Sequence, residues 1–209
     1  MPRWFFAFGC LVLASAWLGP LPALARHSFA AHMAMHMLVV AVAAPLLALG
    51  LAGGQYDPVR RAPRLFAPIP VSFVELAIVW AWHAPVLHHA ARARSAILAL
   101  EQTTFLAAGV LLWISVLGGG TSRSANRTGA GIVALLLTSM HMTLLGALLA
   151  LSPRPLYAHA GETSMAAIDD QHLGGAIMLV AGGAVYLLGG IALTVGLLRV
   201  SKRVSVEPS

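Results

Sequence analysis

His27-Ser28-Phe29-Ala30-Ala31-His32-Met33-Ala34-Met35-His36-Met37 leads straight into an apolar run, Leu38 to Leu51. The run from His32 to Leu51 reads as one helix crossing a bilayer, since a span needs about 20 apolar residues. His32 and His36 are four apart, so a helix sets them on one face, where a single metal ion takes both. Three imidazoles beside three thioethers form a soft donor set that suits copper better than magnesium or calcium. Taken alone, the stretch fits equally well a set of interfacial histidines with methionines that only pack.

The rest of the chain narrows the class. Of 209 residues, 59% are hydrophobic and only 10% charged, with a mean hydropathy of +0.83. Soluble domains carry about 25% charged residues. The expectation is an integral membrane protein with an all-α fold, a polytopic bundle of about six transmembrane helices. A sheet with open edges would leave backbone groups unpaired in lipid. The spans expected are about Trp4–Leu24, His32–Leu51, Val71–Leu87, Ile97–Leu117, Gly131–Leu151 and Leu173–Leu198. The first has the basic start, apolar centre and Ala23-Leu24-Ala25 end of a signal peptide, and also nearly the length of a span. A retained helix is favoured. The organisation expected is residues 1–25 as that helix or signal peptide, 26–200 as the bundle and 201–209 as a tail.

The formal charge of +6 is not a nucleic-acid footprint, because the basic residues stand in short loops with no interleaved aromatics. A single cysteine, Cys10, excludes a disulfide framework or a Cys-x-x-Cys redox pair. With the N-terminus inside, Arg3, Arg60, Arg61, Arg64, Arg123, Arg127, Arg199, Lys202 and Arg203 fall on the cytoplasmic side. Only Arg26, Arg92, Arg94 and Arg154 fall outside. This bias predicts that both termini are cytoplasmic.

That orientation sorts the histidines. His27, His32, His36, His83, His88, His89, His159 and His172 all come to the outer side, and His141 alone lies near mid-membrane. Such asymmetry points to a metal site near the outer surface, most simply copper. His32, His36 and His83 are the primary candidates, with His141 or His172 completing the set. An ionisable His141 in the membrane is a functional candidate by default. Asp170 and Glu101 are expected to tune the histidines from behind, while Met33 and Met37 keep the ion exchangeable. For Asp170, metal binding and a helix cap stay open as alternatives, and Glu101 suits a helix dipole equally well. His88, His89 and His159 are read as solvated. No nucleophile, acid–base pair or phosphate-cradling loop appears, so the chain is not read as an enzyme.

With these residues in view, the chain resembles the CtaG family of caa3-type cytochrome c oxidase assembly factors over roughly residues 27 to 198. The matching pieces are His32-Met33 and His36-Met37 ahead of Ala44-Pro45-Leu46-Leu47, then Trp82-His83-Ala84-Pro85, Leu100-Glu101-Gln102 and Trp113. Pro155-Leu156-Tyr157 and Asp170-Gln171 with Gly174-Gly175 complete them. In the family pattern a His often follows the glutamate, where this chain has Gln102. Longer relatives have seven spans. The resemblance implies a bacterial cytoplasmic-membrane factor needed to make active cytochrome oxidase, handling copper, expected as Cu(I), for an oxidase subunit. Its implied partners are oxidase subunits and a copper donor protein. Three rival readings remain: a haem-binding electron-transfer bundle, a copper permease and a metal-free assembly scaffold.

Overall fold

The computed structural model describes residues 3–120, 124–157 and 163–206, and every regular element among them is helical. In order these are α1 (Trp4–Leu18), α2 (Leu21–Leu24), α3 (Phe29–Met37), a π-helical segment (Leu38–Ala43) and α4 (Ala44–Leu51). A 3₁₀ turn (Pro58–Arg60) precedes α5 (Pro68–Trp82), α6 (Pro85–Ala93), α7 (Ser95–Leu117), α8 (Ala125–Ala150) and α9 (Ser164–Val206). Among the described residues, four stretches are long and apolar enough to cross a bilayer: Phe29–Leu51, α7, α8 and Met165–Arg199 within α9. The chain is a multi-pass, all-helical membrane protein.

The other two expected spans take less regular forms. α5 and α6 pass as one span only if counted together, because they are bent by 71°. The bend follows from Pro85: its ring holds the preceding Ala84 in an extended conformation, φ −63° and ψ 129°. α1 has 15 residues and rises about 22 Å, short of the roughly 30 Å hydrocarbon core. It packs along α4, with Cys10 on the exposed side. α9 begins earlier than the sequence pattern indicated, at Ser164, so Asp170 and His172 lie within a helix and not at its start.

A second proline shapes the span that carries the opening motif. Pro45 has no N–H for the carbonyl four residues back, and the turn ahead of it widens into the π segment. There the Ala44 N–H donates to Val39 O, five residues earlier. The Tyr186 hydroxyl of α9 donates to Val40 O at 3.4 Å.

The core runs along this span, where Met33, Val40, Ala44, Leu112, Leu135 and Met178 are buried in one cluster. α8 and α9 approach most closely. A Cβ added to Gly175 would sit 2.4 Å from Ala150 N, and one added to Gly146 would sit 2.6 Å from Leu179 N.

Each end of the bundle is tied by a carboxylate. At the arginine-bearing end, Asp57 accepts from the N–H groups of Gly53 (2.8 Å), Val59 (3.0 Å) and Gly119 (2.8 Å). Arg127 donates to Pro63 O (3.1 Å) and Ser115 O (2.9 Å) at the same end. At the histidine-bearing end, Asp170 of α9 accepts from Ser28 Oγ at 2.7 Å and from Ala30 N at 3.2 Å. Ser28 also caps α3 with its own side chain, accepting from Ala31 N at 3.1 Å. Asp170 thus fixes the start of the helix that carries His32 and His36.

Candidate metal centre

Because α3 starts where Ser28 and Asp170 fix it, its next two turns aim His32 and His36 into the bundle. Both are buried, and their rings meet edge to face at 4.3 Å. Opposite them α7 presents Glu101, wholly buried. His32 Nε2 lies 3.1 and 3.2 Å from the two Glu101 oxygens, and His36 Nε2 lies 3.6 Å from Oε1. Potential ligand atoms of these three residues all fall within 4.8 Å of one another. Donors bound at about 2.0–2.1 Å in a tetrahedron stand about 3.3 Å apart. The observed spacing therefore fits a common ion with small shifts.

His83, at the C-terminal end of α5, joins from the side of the bend. Its Nδ1–H donates to Val79 O at 2.7 Å, which leaves Nε2 as the lone-pair nitrogen. That nitrogen faces Met33 Sδ at 3.4 Å. In the neutral state neither atom has a proton to give the other, so two soft donors converge as they would on a cation. The His36 and His83 rings are 6.1 Å apart, with Phe105 packed against both.

The bend has a second consequence. α6 returns across the site and buries His88 beside His32, with ring centroids 4.6 Å apart. Phe29 and Tyr157 flank the His88 ring. His88 Nε2 and His32 Nδ1 are buried with no hydrogen-bond partner among the described residues. The Tyr157 hydroxyl donates to His83 O at 2.6 Å, and burial pushes its phenol up to about 12. His89, the neighbour of His88, is exposed.

The remaining sequence candidates stand elsewhere. His141 on α8 bonds Glu75 on α5, Nε2 to Oε2 at 2.8 Å, with Thr138 Oγ1 at 3.5 Å from the same oxygen. This is a separate buried pair, and Glu75 Oε1 and His141 Nδ1 have no partner among the described residues. His172 Nε2–H donates to Ser152 O at 2.9 Å. Met37 packs beside Gly182 of α9, and Asp170 makes the contacts to α3 already given. His159 lies outside the described residues. The structure therefore brings together His32, His36, His83, Met33 and Glu101, and gives His141, His172 and Met37 other neighbours.

Two residues of the site were not legible as such. His88 read as solvated because it follows the span, and only the Pro85 bend turns it inward. Gln102 read only as a departure from a family pattern. In the structure its amide bonds His36 Nδ1 at 2.8 Å and Trp17 Nε1 at 3.3 Å.

Comparison with curated proteins and with solved structures gave no match. The family model described as cytochrome c oxidase caa3 assembly factor matches residues 2–200, nearly the whole chain. The match spans the buried histidines, the glutamate and the bent α5–α6 unit that surround the candidate centre. This chain belongs to the CtaG family of cytochrome c oxidase caa3 assembly factors.

Proposed function

We propose that this protein binds copper at its histidine-bearing end and passes it to a cytochrome c oxidase subunit during assembly. The observation that carries the reading is the buried triad of His32, His36 and Glu101, with His83 and Met33 converging beside it. Imidazole and thioether favour copper, and His83–Met33 is the pair that favours Cu(I). The loop-charge bias supports an orientation with this end outward, in a bacterial cytoplasmic membrane. The protein acts by ligand exchange, with a copper donor on one side and the oxidase on the other, and not as an enzyme.

The rivals predict different behaviour. A haem protein would use histidines as axial ligands and show a Soret band. A permease needs polar ligands continuing toward the arginine end. His141 and Glu75 are instead engaged with each other, and no hydrogen bond or ion pair joins them to the triad among the described residues. The test is genetic and chemical together. Cells lacking the protein are complemented with wild type or with a His32/His36/His83 triple-alanine variant, and the copper content and activity of the purified oxidase are measured. Copper-poor, inactive oxidase with the variant supports the reading. Fully metallated, active oxidase with the variant would leave a metal-free scaffold.

A further inference from the structure

The geometry points to Gln102 as a lock that holds His36 in the tautomer unable to take metal, released only when Gln102 lets go of Trp17. This rests on the copper-site reading above and deepens it. The Trp17 indole can only donate a hydrogen bond. It lies 3.3 Å from the Gln102 amide, so the amide oxygen must face it. The amide nitrogen then faces His36 Nδ1 at 2.8 Å and donates to it. Its 3.5 Å approach to Glu101 Oε2 agrees, because a carboxylate can only accept.

His36 Nδ1 is thus the acceptor, and the ring's proton is on Nε2, the nitrogen that faces Glu101. A neutral imidazole ligates through its bare nitrogen. His36 must therefore move its proton from Nε2 to Nδ1 before Nε2 binds an ion, and the ring stays neutral with no net proton released. The new Nδ1–H then needs an acceptor, which Gln102 supplies only by turning its amide over. That turn sets the amide NH₂ against the Trp17 N–H, donor against donor, and the link between α1 and α7 breaks.

His32 offers the contrast. Its Nε2 also faces Glu101, but its Nδ1 has no partner among the described residues, so no side chain has to turn over for the same proton shift. In this account His32 and the His83–Met33 pair take the ion first, and His36 closes on it only as Gln102 turns. Loading of the site is in this way reported to α1.

The test uses full-length protein in detergent, titrated with Cu(I) against a competing soluble Cu(I) chelator. The variants are Gln102→Glu, which accepts from both Trp17 and His36 and so favours the ligating tautomer, and Gln102→Leu, which removes the lock without adding charge. Both are expected to bind Cu(I) more tightly than wild type, by about ten- to hundredfold for the glutamate and by less for leucine. In ¹⁵N spectra, metal-free wild type is expected to carry its His36 proton on Nε2, the glutamate variant on Nδ1. The Trp17 indole N–H resonance of wild type should shift as copper is added. An increase for glutamate alone would be a charge effect and would overturn the lock, as would an Nδ1–H tautomer in metal-free wild type. Absence of Cu(I) binding by wild type and variants alike would instead overturn the copper-site reading, leaving the His36 tautomer in the ¹⁵N spectra to decide the lock.

Discussion

Replacing Glu101 by glutamine keeps the shape of the side chain and removes its charge. Glu101 is wholly buried, and its oxygens lie 3.1 and 3.2 Å from His32 Nε2 and 3.6 Å from His36 Nε2. The glutamine offers one acceptor where there were two, and its NH₂ faces nitrogens that carry protons in the metal-free state. If the carboxylate only orients the rings, its loss weakens copper by about 10–100-fold, or about 1.4–2.8 kcal/mol. If it is itself a ligand, the loss exceeds about 100-fold. Glu101→Asp keeps the charge but draws it back by one methylene, so it is expected to fall between wild type and Glu101→Gln. The assay is chelator competition for Cu(I) at fixed pH, with a thermal melt in the same detergent to confirm that each variant is folded. A folded Glu101→Gln protein whose affinity stays within about threefold of wild type, far inside that range, would refute the placement of Glu101 at the centre.

Other consequences are independent of the metal. Gly175→Ala forces a methyl into the backbone of α8, 2.4 Å from Ala150 N, and is expected to cost about 1–3 kcal/mol, read as a lower melting temperature. His141→Ala leaves buried Glu75 without its 2.8 Å partner and is expected to cost about 3 kcal/mol, whereas the double leucine variant at Glu75 and His141 recovers most of that in a double-mutant cycle. The Tyr157 phenol is raised from 10.0 to about 12 in the folded protein, so its contribution is full below pH 10 and is lost as pH rises toward about 12. Tyr157→Phe should remove that alkaline loss from the stability profile, and an unchanged profile would show that Tyr157 is not its source.

What the sequence makes legible is what periodicity and composition control. His32 and His36, four apart, had to share a face once the run to Leu51 formed a helix, and the apolar segments had to become helices in lipid, four of them among the described residues long enough to cross by themselves. Contacts between segments are a different matter. Nothing in the spacing says that Asp170 reaches across to cap α3, 140 residues earlier in the chain, or that Glu75 and His141 pair. The direction of α6 depends on how Pro85 is accommodated, and with it the burial of His88. Pro85 marks the break but not its 71° angle. Gln102 needed its two partners before its role could be read, since an amide donates or accepts according to what faces it.

Copper at the buried triad is tested by elemental analysis and an optical spectrum of the detergent-purified protein after exposure to Cu(I), beside the His32/His36/His83 triple-alanine variant. About one copper per chain is expected, one ion per four-donor site, lost in the variant and with no haem band. A haem band, copper retained by the variant, or no copper in the wild type would contradict it.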